Sequence, residues 1–155
     1  VCAENINHKN YRLFDCYQLF DIGLQTIHPT VNRIIHRNFD LDTFVTGFRL
    51  LKSLGKIISL YLIYGLPGEN FQEFMKGVCF ADSLGASMVF LNRLCVLDGT
   101  PLRRHAAQYQ LEYCRRPPYQ VLSNTTYSFQ DIVKSESFAR NYMRFHSVGK
   151  SPSLS

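Results

Sequence analysis

The chain has 155 residues, 46% apolar and 19% charged, with a formal net charge of +5 and a pI near 9. That length holds one domain with a real core, and the composition is that of an ordinary globular protein. No apolar run reaches the roughly 18 residues that a membrane-spanning helix needs, and the excess of positive charge is mild.

The first residues, "VCAENINHKN", lack the basic start and apolar core of a signal peptide, and they lack an initiating Met. The five cysteines, Cys2, Cys16, Cys79, Cys95 and Cys114, are odd in number and widely spaced. That argues against a disulfide framework and for a reducing, cytoplasmic setting. No two stand at the separation usual for zinc or iron–sulfur ligation, and no histidine falls in a ligand pattern, so the residues indicate no metal site. Cys79 and Cys95 have apolar neighbours in sequence and read as small core residues.

From Leu19 onward, strand and helix patterns alternate. "LFDIGLQT" (19–26) reads as a buried strand, and "PTVNRIIHR" (29–37) as a short helix opened by Pro29, with Val31, Ile34 and Ile35 on one face. Asp40 is a good N-cap for a helix carrying Phe44, Val45, Phe48, Leu51 and Leu54 on its apolar stripe, and Gly55 suits its end. "KIISLYLIYG" (56–65) is apolar on both faces, the mark of a parallel strand covered on both sides. Asn70 and Glu73 form a capping box before Phe71, Phe74, Met75, Val78 and Ala81, and Gly85 closes that helix. "SMVFLNRLCVL" (87–97) is the next strand.

The strand spacing is that of βαβ units with right-handed crossovers. Three parallel strands by themselves expose sheet edges, which points to missing upstream material. Beyond Leu97 the pattern predicts a turn and short helix, an extended "RRPPY", and one helix over 128–145 capped by Ser128, with Ile132, Val133, Phe138 and Tyr142 partly apolar.

Ligands of parallel α/β folds bind at the carboxyl ends of strands. The candidates there are Gln25 and Thr26, the turn 65–68, and Asn92 with Arg93. A glutamine in an apolar strand serves either a ligand or a loop cap. Gly65 and Gly68 around Pro67 allow close backbone approach, or make a plain connection into the next helix. No phosphate loop, nucleophile elbow or paired-carboxylate motif is present.

Three stretches, "DIGLQTIHPTVNRIIHRNFD" (21–40), "LYLIYGLPGENFQEF" (60–74) and "LCVLDGTPLRRHAAQYQLEY" (94–113), together resemble the radical S-adenosylmethionine (radical SAM) enzymes over about residues 19–145. The likeness is nearest to cobalamin-binding members and to relatives of oxygen-independent coproporphyrinogen oxidase. It implies an α/β fold, the C-terminal half of a partial (β/α)₆ barrel over residues 1–97, followed by a helical extension over 98–146 and a disordered tail over 147–155. It also implies that Gln25 and Arg37, twelve residues later, reach SAM, and that Ile63, Gly65, Leu66 and Pro67 wall its adenine. An amide suits ribose hydroxyls and a guanidinium suits the SAM carboxylate; Arg37 is also placed as a helix-end cation.

The departures from the family are equally specific. The CxxxCxxC that holds a [4Fe–4S] cluster is absent from these residues. Relatives often read "DLIYGLP", where this chain has Tyr61, and "VLPGT" is "VLDGT" here, with Asp98. The expectation is therefore a fragment that binds SAM but does not cleave it alone. Its parent would be a radical enzyme, with the upstream barrel half as partner and cobalamin held in an upstream domain. The alternatives are a non-catalytic remnant or interaction module that keeps the half-barrel and, less favoured, a basic nucleic-acid module.

Overall fold

The computed structural model describes residues 2–148 of the chain, with side chains through residue 143. Three strands, β1 (Leu19–Gln25), β2 (Ile57–Tyr64) and β3 (Met88–Arg93), form a parallel sheet in the order β1-β2-β3. Leu19 pairs with Ile57, and Ser59 with Met88, so each strand enters in register with the next. The β1–β2 register shifts between Gly23 and Gln25, where β1 ends.

The crossovers are α1 (Pro29–Ile34) with α2 (Leu41–Ser53), then α3 (Phe71–Ser83). Local chemistry sets their ends. The Asp40 carboxylate accepts the Thr43 N–H at 2.8 Å. Asn70 and Glu73 complete the capping box, each side chain accepting the other's backbone N–H. Gly55 and Gly85 both stand at φ +71°, the left-handed conformation that ends a helix. α1 stops at Ile34, short of the expected 37, because His36 turns to φ +55°.

One sheet face carries Phe20, Ile22, Leu24, Ile58, Leu60, Leu62, Val89 and Leu91, all buried with Phe44, Phe48, Leu51, Phe74 and Val78. The other face is open. Leu19, Ile57 and Met88 on it are 55%, 48% and 43% exposed. The expectation of a sheet covered on both sides thus holds for one face only, since both crossovers lie on the same side.

β3 is shorter than its predicted span. It ends at Arg93, and Cys95 then bridges antiparallel to Gln120. That bridge belongs to an unforeseen hairpin, β4 (Glu112–Tyr113) with β5 (Val121–Ser123). The expected extended "RRPPY" is the hairpin's turn instead, with Pro117–Pro118 cis and Tyr119 at φ +59°. The short helix α4 (Pro101–Arg104) is capped by Thr100, and α5 (Phe129–Val148) by Ser128, whose hydroxyl accepts the Asp131 N–H at 3.1 Å.

Ile132 and Ala139 of α5 are buried, whereas Val133, expected on the apolar stripe, is 49% exposed. Cys79, expected in the core, lies exposed on the outer side of α3, and Cys95 is half-buried. α5 extends two residues into the stretch expected as tail, and residues 149–155 of that tail lie outside the described residues. Among the described residues no helix is long and apolar enough to cross a membrane.

Candidate ligand edge at the carboxyl ends of the strands

Gln25 ends β1 in a conformation that non-glycine residues rarely adopt, φ +63°. The Thr26 N–H donates to the Leu24 carbonyl at 2.8 Å, closing a three-residue turn with Gln25 at its centre. Gln25 then folds its amide back over Gly23, so a Cβ at position 23 would stand 2.4 Å from Gln25 Nε2. The bare glycine makes room for the amide. Gln25 Oε1 is left buried with no hydrogen-bond partner. A strained backbone together with an unpartnered buried acceptor is the pattern of a functional position.

Arg37 stands directly behind this turn. It donates to the Leu24 carbonyl at 2.6 Å, the Gly23 carbonyl at 2.7 Å and Glu4 Oε1 at 2.7 Å. Its guanidinium carbon lies 4.6 Å from the centre of the Phe39 ring. Arg37 is therefore built into the backbone of β1, and sequence reasoning, which placed it on SAM, missed this grip. Glu4 is the counter-charge.

The turn after β2 is held from the far end of the chain. Gly65 has φ +86°, and a Cβ there would meet Val121 at 2.7 Å and Ile132 at 2.8 Å. Asn124 donates to the Gly65 carbonyl at 2.9 Å, and the Thr126 hydroxyl accepts the Gly68 N–H at 2.8 Å. Gly65, Leu66 and Pro67 are buried, so the chain's own side chains occupy the space that the glycine leaves. Of the four residues expected to wall an adenine, Ile63 is the one half-exposed on the open face, level with Asn92 of β3. Arg93 points away from that face. It donates to the Val121 carbonyl at 2.8 Å and pairs with Glu136 at 3.2 Å.

Tyr61 lies one pleat below Ile63. Its ring stacks on Phe90 with centroids 4.8 Å apart, and its hydroxyl donates to Asp21 Oδ1 at 3.2 Å. Tyr61 thus puts a phenol on this strand, while a carboxylate stands on the neighbouring strand. Asp21 was legible in principle, because it shares the alternating face of Gly23 and Gln25.

Behind the edge sits a carboxyl that sequence reasoning did not single out. Glu69 is 2% exposed; the Thr26 hydroxyl donates to its Oε1 at 2.7 Å, and its Oε2 has no partner. Burial pushes its pKa up from 4.5 to about 8, opposed by the Thr26 hydrogen bond and helped by the nearby Glu73 carboxylate. Only tertiary packing reveals this, since in sequence Glu69 reads as a polar residue before a helix.

The residues suit an adenosyl ligand in part and an iron–sulfur cluster not at all. Gln25 carries a buried amide oxygen with no partner, whose chemistry fits a hydroxyl donor. Among the described residues no three His, Cys, Asp or Glu side chains are placed to hold a metal ion, and the cysteines stand far apart in sequence.

No family model matches the sequence. The uncharacterized protein YtqA of Bacillus subtilis is 27% identical over 106 residues, which are 68% of this chain and 33% of that protein. The chain thus spans about a third of that relative's length. Among solved structures, coproporphyrinogen III oxidase (HemN) of Escherichia coli, a radical SAM enzyme, matches 94% of this chain and 31% of its own, with TM-score 0.68 and 15% identity. The radical SAM methyltransferase TsrM of Kitasatospora setae, with cobalamin and a [4Fe–4S] cluster bound, matches 76% of this chain and 26% of its own, with TM-score 0.60 and 14% identity. The parallel sheet and its helices therefore have the fold of part of a radical SAM barrel.

Proposed function

We propose that the chain is the SAM-binding portion of a radical SAM barrel, with Gln25 and Ile63 facing the ligand and Arg37 holding the strand end that presents Gln25. The observation that carries this is Gln25 itself, a left-handed residue whose buried amide oxygen has no partner in the protein. A SAM ribose hydroxyl would supply the missing donor, and Ile63 would add an apolar contact. Gly65, Leu66 and Pro67 act from behind, fixing the edge against which adenine rests. A [4Fe–4S] cluster supplies the electron for SAM cleavage in radical SAM enzymes, and the described residues hold no ligand set for one, so their role here is binding and orientation.

The free edge of the sheet at β1 is where we place further strands of the barrel, so that the face carrying Leu19, Ile57 and Met88 turns inward. Cobalamin-dependent methylation or rearrangement is one reaction such an assembly could host, as the TsrM likeness suggests, and the proposal assigns cobalamin no residue of this chain. Tyr61 favours a second reading, a non-catalytic interaction module that keeps the half-barrel, because its hydroxyl is already engaged by Asp21.

Equilibrium dialysis of the chain against radiolabelled SAM separates the two. The first reading expects saturable binding that Gln25→Ala weakens at least tenfold. Binding that is absent, or indifferent to Gln25→Ala, favours the module.

A further inference from the structure

We propose that Glu69 is a positioning residue of the ligand edge, the tie that joins the end of β1 to the glycine turn after β2 and so sets where Gln25 stands. The inference rests on the reading that this edge binds SAM.

The left-handed turn at Gln25 is not self-supporting and needs an anchor on each side. On the Leu24 side the anchor is Arg37, through the Gly23 and Leu24 carbonyls. On the far side it is Thr26, 1% exposed, whose every polar atom is engaged. Its N–H reaches the Leu24 carbonyl, its carbonyl accepts from Asn32 Nδ2 at 3.3 Å, and its hydroxyl accepts the His28 N–H at 3.1 Å while donating to Glu69. Glu69 follows Gly68 directly, so one short hydrogen bond spans 43 residues of chain and connects the two carboxyl ends that make up the edge.

A carboxyl is an unusual choice for this joint. Its second oxygen is buried without a partner, and an amide would make the same bond with no charge to bury. The surroundings favour the neutral acid. From α3, Glu73 contributes a carboxylate that raises the Glu69 pKa, and from the segment before α5 the Tyr127 phenol is held by Ser135 at 2.5 Å. His28, at the start of α1, stands with Nε2 3.8 Å from Glu69 Oε1 and 3.4 Å from the Glu73 carbonyl. The Thr26 hydroxyl donates to acid and carboxylate alike, and more strongly to the carboxylate, so the tie holds through loss of the Glu69 proton.

The test is SAM affinity of the full chain from pH 6 to 9.5, measured for wild type, Glu69→Gln, Glu69→Ala and Thr26→Val. Wild type and Glu69→Gln are expected to bind within about twofold of each other across that range, because the Thr26 hydroxyl finds an acceptor in both. Glu69→Ala and Thr26→Val are expected to bind at least tenfold more weakly at every pH.

A Glu69→Gln variant that binds as weakly as Glu69→Ala would overturn the inference. So would wild-type affinity in Thr26→Val, whose side chain keeps the size of threonine without its donor. Amide exchange at Thr26 supplies a readout that needs no ligand. Faster exchange in Thr26→Val and Glu69→Ala, with Glu69→Gln protected like wild type, supports the tie even where SAM does not bind, and unchanged exchange in all three removes it. Absence of SAM binding by the wild type refutes the functional reading and leaves the amide result to decide this one.

Discussion

Alanine at position 47 is expected to destabilise the chain, against the usual preference of helices. In an exposed helix interior, Gly→Ala gains about 1 kcal/mol. Gly47 lies in α2, where a Cβ would stand 2.0 Å from the Ala3 carbonyl oxygen, 2.9 Å from the Ala3 carbonyl carbon and 3.0 Å from the Ile6 carbonyl oxygen. These are backbone atoms, so no side chain can rotate aside. The segment 3–6 has to lift from α2, and it carries Ala3 and Ile6, which are 0% and 2% exposed.

Overpacking of a close contact costs roughly 1–3 kcal/mol, and partial exposure of Ile6 adds about 1 kcal/mol. Against the helical gain, the net is a loss of about 2 kcal/mol. With a urea slope of about 2 kcal/mol/M, the midpoint should fall by about 1 M at unchanged slope, followed by circular dichroism. The same lift moves Glu4 off Arg37, so SAM affinity should fall with stability. A Gly47→Ala chain more stable than wild type would refute the docking of residues 3–6 and the Glu4–Arg37 pair with it.

Arg37→Lys removes the planar fork that meets two carbonyls and Glu4, and should cost about 2–4 kcal/mol by chemical denaturation, nearly as much as Arg37→Ala. Glu69 holds a proton when folded that it releases near pH 4.5 when unfolded, so wild-type stability should fall by about 3 kcal/mol between about pH 5 and 7.5 and level off above about pH 8. In Glu69→Gln that part of the pH dependence vanishes, and denaturation midpoints across pH measure it. Tyr127→Phe leaves the buried Ser135 hydroxyl without its partner and should lower stability by about 1–2 kcal/mol in the same assay. Asn70→Ala should cost about 1 kcal/mol and speed amide exchange at Glu73, whose N–H the Asn70 side chain accepts.

What could be read in advance was what short-range chemistry determines. Asn70 and Glu73 sit three residues apart and act on each other, so the start of α3 was legible. So were the glycines at 55 and 85, whose left-handed conformation ends a helix without help from elsewhere. The strands from Leu19, Ile57 and Met88 showed themselves by apolar runs and spacing.

The hairpin β4–β5 did not, because two- and three-residue strands have no period to detect and Gln110 and Tyr119 take left-handed conformations that their side chains do not announce. At the candidate site, Gln25 was visible as a polar residue in an apolar strand. The Thr26–Glu69 bond joins positions 43 residues apart, and the Arg37 grip depends on backbone carbonyls, which look alike in every sequence. The outward turn of Cys79 followed from which side of α3 met the sheet, a fact of assembly and not of local composition.

The packing at Gly65 bears on whether the strand–turn–helix can be transplanted. Its shape is moulded by Val121, Asn124, Thr126 and Ile132, all more than fifty residues further along. Grafted into another scaffold without them, "LIYGLPGEN" would arrive as an unsupported glycine-rich loop. The extension after Leu97 is thus the mould in which the edge is cast, and a clone ending there would discard the mould while keeping the motif.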